Sequence, residues 1–146
     1  MEKWAEKQSG VHAKRPKRAS RATGRRTYRQ VMGQRAEDLA VEFLQAQGLE
    51  ILERNFRRRL GELDIVAREG DTLVIVEVRT RASDRYGGAA ASVDSRKQLR
   101  LVRAAEQLLQ QRRDLARLPA RFDVITVSAL AEASPQFQWL RHAFLT

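Results

Sequence analysis

Two carboxylates and an arginine are the residues of this chain whose types and spacing best fit a chemical reaction. They lie in Gly61-Glu62-Leu63-Asp64-Ile65-Val66-Ala67-Arg68 and in Leu73-Val74-Ile75-Val76-Glu77-Val78-Arg79. The first stretch alternates apolar and charged residues and the second is almost entirely aliphatic, so both read as strands. Glu69-Gly70-Asp71-Thr72 between them reads as a turn, with Gly70-Asp71 as a two-residue loop. That loop sets a register in which paired residue numbers sum to 141, with Asp64 opposite Glu77 and Glu62 opposite Arg79. Strand side chains alternate with period two, so all four are expected on one face. Directly opposed residues hold their Cβ atoms about 4.5–5.5 Å apart. Two carboxylates that close repel each other, and a hard divalent ion such as Mg²⁺ (or Mn²⁺) between them removes the repulsion. Arg79 would then meet an anionic substrate. The competing reading is that strand charges face solvent and that Glu62–Arg79 is an ordinary cross-strand ion pair. The position of Glu77 favours a site, because it interrupts the aliphatic run Leu73 to Val78, where an unpaired charge is expensive.

Composition narrows the chemistry. The 146 residues suffice for one domain with a core of its own. There is no cysteine, and His12 and His142 are the two histidines, which argues against thiolate or zinc chemistry and against a histidine-based triad. Any metal is expected to have oxygen ligands. No apolar run is long enough to span a membrane, and the N-terminus lacks the apolar core of a secretory signal, so a cytoplasmic protein is expected. The formal net charge of +10 is unevenly spread. Residues 1–29 hold ten Lys/Arg and two Glu, while the remainder holds eighteen Lys/Arg and sixteen Asp/Glu. Residues 1–31 are therefore read as a basic, disordered extension and residues 32–146 as the folded domain. Such a tail binds nucleic acid without sequence preference or merely aids solubility. Met32 also stands where the folded pattern begins, so the true start of the protein could lie near it.

The elements that must position the carboxylates follow from the pattern. Ala36, Leu39, Ala40, Phe43 and Leu44 form a helical stripe over Gly33–Gly48, with Gly48 as a C-terminal cap. Glu37 flanks that stripe and is either solvated or directed across the sheet toward Asp64. Leu49 to Phe56 reads as a strand, with Leu49, Ile51 and Phe56 inward. The following triplet Arg57-Arg58-Arg59 is either a solvated turn or a contact for phosphates. After the hairpin, Thr80 to Ala91 is a loop carrying Arg81, Arg85 and Tyr86-Gly87-Gly88, suited to a nucleic-acid backbone or to a plain connection. Ser95-Arg96-Lys97-Gln98 has capping-box spacing and opens a helix over 93–113 with Leu99, Val102, Ala105, Leu108 and Leu109 on one face. Lys97, Arg100 and Arg103 near its start oppose the helix dipole unless an anion binds there. Arg121–Ser128 is a strand, and Gln136–Leu140 is an edge strand with Phe137 and Trp139 on one side. The order α-β-β-β-α-β, with one extra strand, suggests a two- or three-layer α/β sandwich around a mixed sheet.

Several of these residues together carry a resemblance. Gly33-x-x-Ala36-Glu37, Arg54-Asn55, Gly61-Glu62-Leu63-Asp64, Val76-Glu77-Val78-Arg79-x-Arg81, Lys97 and Arg121-Phe122-Asp123 look like the YraN family of small bacterial proteins. That family resembles Holliday-junction resolvases and the wider PD-(D/E)XK nucleases. The likeness covers about Met32 to the C-terminus. It implies a restriction-endonuclease-like αβββαβ core, an α/β fold with a mixed central sheet flanked by helices. It also implies that Asp64 and Glu77 bind Mg²⁺ or Mn²⁺ and that Glu37 corresponds to a helix glutamate of the resolvase-like branch. A homodimer is the corresponding assembly. Arg79 replaces the lysine that the superfamily carries two residues after its second acid. Arginine keeps its charge and is a poor general base.

Three functions remain open on the sequence. The first is a metal-dependent nuclease acting on DNA in preference to RNA, with branched or structured DNA among its expected substrates. Glu37, Asp64, Glu77 and Arg79 would be its catalytic residues. Arg57, Arg58, Arg81, Arg85, Lys97 and Arg100 would be its nucleic-acid contacts. The second is a nucleic-acid-binding module that keeps the fold without the activity. The third is a protein adaptor whose carboxylates are simply solvated.

Overall fold

The computed structural model describes residues 24–81 and 93–144. Arg85, and the basic residues before Gly24, lie outside the described residues. The elements are α1 (Tyr28–Ala46), β1 (Glu50–Arg58), β2 (Gly61–Glu69), β3 (Thr72–Arg81), α2 (Ser95–Gln111), β4 (Ala120–Ser128) and β5 (Gln136–Phe144). The strands form one five-stranded sheet in the order β1-β2-β3-β4-β5. The β3–β4 pair is parallel and the other three pairs are antiparallel. Parallel neighbours need a long crossover, and α2 supplies it. The αβββαβ order expected of a restriction-endonuclease-like core is the order observed.

The sheet has a core on each face, which makes the fold three-layered. Ala36, Ala40 and Leu44 of α1 pack on Ile65, Val74, Val76, Ile125 and Val127. Leu101, Ala104 and Leu108 of α2 pack on Leu63, Val66, Leu73, Ile75 and Phe122. Both faces of β3 and β4 are covered, so their buried residues run continuously instead of alternating with polar ones.

The helices differ from their expected form at the start. Thr27 caps α1 in a reciprocal box with Gln30, so the helix begins at Tyr28 and not at Gly33. The exposed first turn has no apolar stripe, which is why Tyr28–Val31 reads as extension in the sequence. Gly48 ends the helix as expected, with a φ of 91° that favours glycine. In α2 the cap is Asp94, whose side chain accepts from Lys97 N, and not Ser95. Leu101, Ala104, Ala105 and Leu108, at i, i+3, i+4, i+7 spacing, form the buried face, and Leu99 is exposed.

Gly61, at the start of β2, lets α2 approach. A Cβ there would collide with the Arg100 carbonyl oxygen and crowd Ala104. The opposite end of the sheet is tied by Asp123. Its carboxylate accepts from Arg121 Nε at 3.1 and 3.2 Å, from Trp139 Nε1 at 3.0 Å and from the His142 backbone at 3.0 Å. The register shift between Phe122 and Val124 and the φ of 50° at His142 lie at this contact. Arg121 Nη1 continues to Glu69 Oε1 at 3.1 Å, which also accepts from Arg141.

Two stability predictions follow. Asp123→Ala leaves Arg121 buried without its main partner and is expected to cost about 3–5 kcal/mol in urea unfolding. Gly61→Ala is expected to cost about 1–3 kcal/mol as an overpacked contact, with α2 amides nearest Arg100 losing hydrogen-exchange protection first.

Candidate active site

The sheet forks where the candidate residues stand. β2 and β3 pair from Glu69↔Thr72 to Ile65↔Val76, in the register expected from the two-residue turn. Beyond Ile65, β2 stays with β1 through Leu63↔Phe56, Glu62↔Arg57 and Gly61↔Arg58. Beyond Val76, β3 stays with β4 from Glu77↔Val124 to Arg81↔Ser128. Asp64 and Glu77 are the first residues past the last β2–β3 pair. The Val78 N–H, no longer in that ladder, donates to Asp64 Oδ2 at 2.9 Å. The expected Glu62–Arg79 opposition is not formed, because the strands have separated. Glu62 instead takes Arg57 Nε at 3.1 Å across β1–β2.

The two carboxyl groups meet in this fork. Glu77 is buried, at 8 % exposure, on the α2 side of the sheet. Asp64 shares a side-chain hydrogen bond with it. The Asp64 carboxyl is pushed up to about 8 from an ordinary 3.8. Burial is the largest cause, followed by the Glu77 charge, with a smaller push from Glu37; the Val78 N–H pulls the other way. Near neutral pH Asp64 therefore retains its proton. Lys97 Nζ makes an ion pair with Glu77 Oε1. Glu62, Asp64, Glu77, Lys97, Arg100 and Leu101 enclose a cleft of about 270 Å³.

A second cleft, of about 450 Å³, opens on the α1 side and includes Glu37, Asn55, Glu62 and Asp64. Glu37 is buried and does turn toward the sheet. Its Oε1 accepts from Arg54 Nε and Nη2, both at 3.3 Å, and from Asn55 Nδ2 at 2.8 Å. Burial raises the Glu37 carboxyl above its ordinary range, against the opposing pull of Arg54. Asn55 has a φ of 52°, a left-handed conformation that asparagine tolerates better than most residues. This break in strand alternation lets adjacent Arg54 and Asn55 both reach Glu37 before Phe56 returns to the α2-side core.

The other expected contacts divide. Lys97 and Arg100 line the cleft beside the carboxylates. Arg57 lines the α1-side cleft while paired with Glu62. Arg58 stacks over the Phe56 ring at 4.0 Å and donates to Gln111 Oε1 at 2.7 Å. Gln111 is fourteen residues beyond Lys97, roughly 21 Å along α2, so Arg58 is not brought to the pair. Arg79 is half-buried on β3 and its Nε has no hydrogen-bond partner. Arg81 ends β3 opposite Ser128.

Sequence reasoning missed the Lys97–Glu77 ion pair and the hold of Asn55 on Glu37. The signal for Lys97 was its position four residues before buried Leu101, on the inward face of the helix. Asn55 carried a weaker one, a turn-favouring residue within an apparent strand.

Among the described residues, no group of three or more His, Cys, Asp or Glu is arranged to hold a metal ion. Two carboxylates suffice for Mg²⁺, which keeps several waters. The donor set fits that ion: the Asp64 and Glu77 carboxyl groups line one open cleft and offer it oxygen ligands.

The sequence pattern described as uncharacterised protein family UPF0102 matches residues 36–127. The chain belongs to UPF0102, the YraN family. It is 47 % identical over 119 residues to a UPF0102 protein of Pseudomonas savastanoi pv. phaseolicola, covering 82 % of this chain and 97 % of the relative. It is 50 % identical over 112 residues to one of Nitrosomonas europaea, covering 77 % and 92 %. A third, from Herminiimonas arsenicoxydans, is 50 % identical over 120 residues, covering 81 % and 90 %. These names state the UPF0102 family and no activity. No helix among the described residues of this UPF0102 chain is long and apolar enough to cross a membrane.

The raised Asp64 carboxyl sets a pH dependence. Between about pH 4 and 8 the unfolded chain has lost this proton and the folded chain retains it, so stability falls as pH rises through that window. In chelator, the wild type is expected to melt lower at pH 8 than at pH 5, and Asp64→Asn to flatten that difference. Mg²⁺ should restore the wild type at pH 8 and leave Asp64→Asn unchanged, as read by thermal unfolding.

Proposed function

We propose that this UPF0102 protein is a divalent-metal-dependent nuclease acting on DNA, with branched or structured DNA as its substrate class. The observation that carries the reading is the meeting of Asp64 and Glu77 in the fork, beside a cleft that Lys97 and Arg100 also line. Asp64 and Glu77 would hold Mg²⁺ or Mn²⁺. A bound ion of that kind supplies charge to a phosphoryl oxygen and lowers the pKa of water.

The chain's own groups divide the remaining work. Arg100 stands where a phosphate entering the cleft would lie. Arg79, two residues beyond Glu77, offers a fixed positive charge to the same anion. Lys97 places a positive charge on Glu77 at the edge of the cleft. Glu37, held by Arg54 and Asn55, adds negative charge that favours a cation near Asp64.

Arg79 also supports a second reading, a nucleic-acid-binding module of nuclease fold without activity. The two differ in one experiment. Wild type and Asp64→Asn are incubated with linear, nicked and four-way-junction DNA and with a structured RNA, in Mg²⁺, Mn²⁺ or chelator. The nuclease reading expects cleavage of DNA by the wild type with metal. Asp64→Asn should lose more than the about 10–100-fold typical of an outer-shell partner. Salt-sensitive binding by both proteins without cleavage would replace it with the binding module.

A further inference from the structure

Two buried polar atoms of neighbouring residues on the α2 face lack a hydrogen-bond partner among the described residues: Arg79 Nε and Thr126 Oγ1. Their residues are register partners in the parallel β3–β4 pair. Such partners project to the same side. Ile75 and Phe122, also paired, lie in the α2-side core, while Val78 and Ile125 lie in the α1-side core. Arg79 and Thr126 therefore share the face that carries Glu77. One atom is a charged N–H donor. The other is a hydroxyl whose hydrogen turns to suit its neighbour and whose lone pairs accept. Leaving both unpaired is costly, and a donor and an acceptor on adjacent register partners are complementary.

Among the described residues, the Arg79 Nη atoms have no hydrogen bond or ion pair, and they are not among the buried polar atoms left without one. The residue is half-buried, with its Nε at depth. Glu77 precedes it by two residues, roughly 6.6 Å along the strand.

We propose that Thr126 is a positioning residue for Arg79. Its hydroxyl accepts from Arg79 Nε, fixes the plane of the guanidinium and holds the Nη edge toward a phosphate at the Asp64–Glu77 pair. This rests on the reading of Arg79 as a phosphate contact. It also gives the arginine a reason beyond charge. A lysine at position 79 has only methylene groups at the depth of Nε and would leave the Thr126 hydroxyl unpaired. Arg79 and Thr126 thus form a unit in which the planar fork is oriented before substrate arrives.

The test is binding, so it does not depend on cleavage. A fluorescent four-way junction is titrated in chelator at several salt concentrations with the full chain and its Thr126→Val, Thr126→Ser, Arg79→Gln and Arg79→Gln/Thr126→Val variants. Arg79→Gln is expected to weaken binding several-fold and reduce the salt slope by about 0.9, the value of one phosphate contact on duplex DNA. Thr126→Val should weaken binding in the same direction and reduce the slope. Thr126→Ser should restore both, and the double variant should be no worse than Arg79→Gln alone.

A packing role would instead let Thr126→Val change the melting temperature while the slope stays at its wild-type value. That result, or additive losses in the double variant, overturns the proposal and leaves the phosphate reading of Arg79 standing. An unchanged slope in Arg79→Gln, or no junction binding by the wild type, overturns the phosphate reading and the proposal with it.

Discussion

The repulsion between Asp64 and Glu77 is the constraint around which this end of the molecule is arranged. Two carboxyl groups removed from water and set beside each other cannot both carry charge cheaply. The fork accommodates them in three ways. It separates β2 from β3 just past Ile65↔Val76, so the Val78 N–H becomes available to Asp64. It keeps a proton on Asp64. It brings Lys97 onto Glu77 from α2. The last depends on Gly61, whose missing side chain lets α2 lie against the start of β2. A strand end, a glycine and a helix thus act on one electrostatic problem.

A second buried carboxylate in the same sheet is compensated differently. Asp123 is also a buried carboxylate, at 1 % exposure, but Arg121, Trp139 and the His142 backbone all donate to it. Such a group is fully satisfied and holds β5 against β4. Glu37 is intermediate, gathered by Arg54 and Asn55 yet close enough to raise the Asp64 carboxyl. Asp64 receives one backbone N–H and otherwise faces two acids. Poorly compensated carboxyl groups beside an open cleft mark places where a ligand supplies the missing charge. Family membership places the chain among UPF0102 proteins, while the chemical reading comes from this difference in compensation.

Much of the framework was legible in the chain. Gly70-Asp71 between two strand patterns set the hairpin register, and Glu77 stood out as a charge inside an aliphatic run. Those signals are local, and local signals survive in a sequence read by itself. Leu99 misled because the apolar residues of α2 fit two overlapping helical stripes, and the one through Leu101, Ala104, Ala105 and Leu108 faces the sheet. Glu62 misled for a different reason. A register read from a turn says how strands begin to pair and nothing about where they part.

What the sequence by itself determined was therefore the hairpin, its register as far as Ile65↔Val76 and the order of elements, because turn chemistry and period-two patterning act over a few residues. Only the tertiary structure decided that the ladder stops at Ile65↔Val76, that Lys97 meets Glu77, that Arg54 and Asn55 hold Glu37, and that Arg58 is spent on Phe56 and Gln111. Each of these depends on how closely a helix approaches the sheet. That distance is set by packing between residues remote in the chain, and no local pattern encodes it.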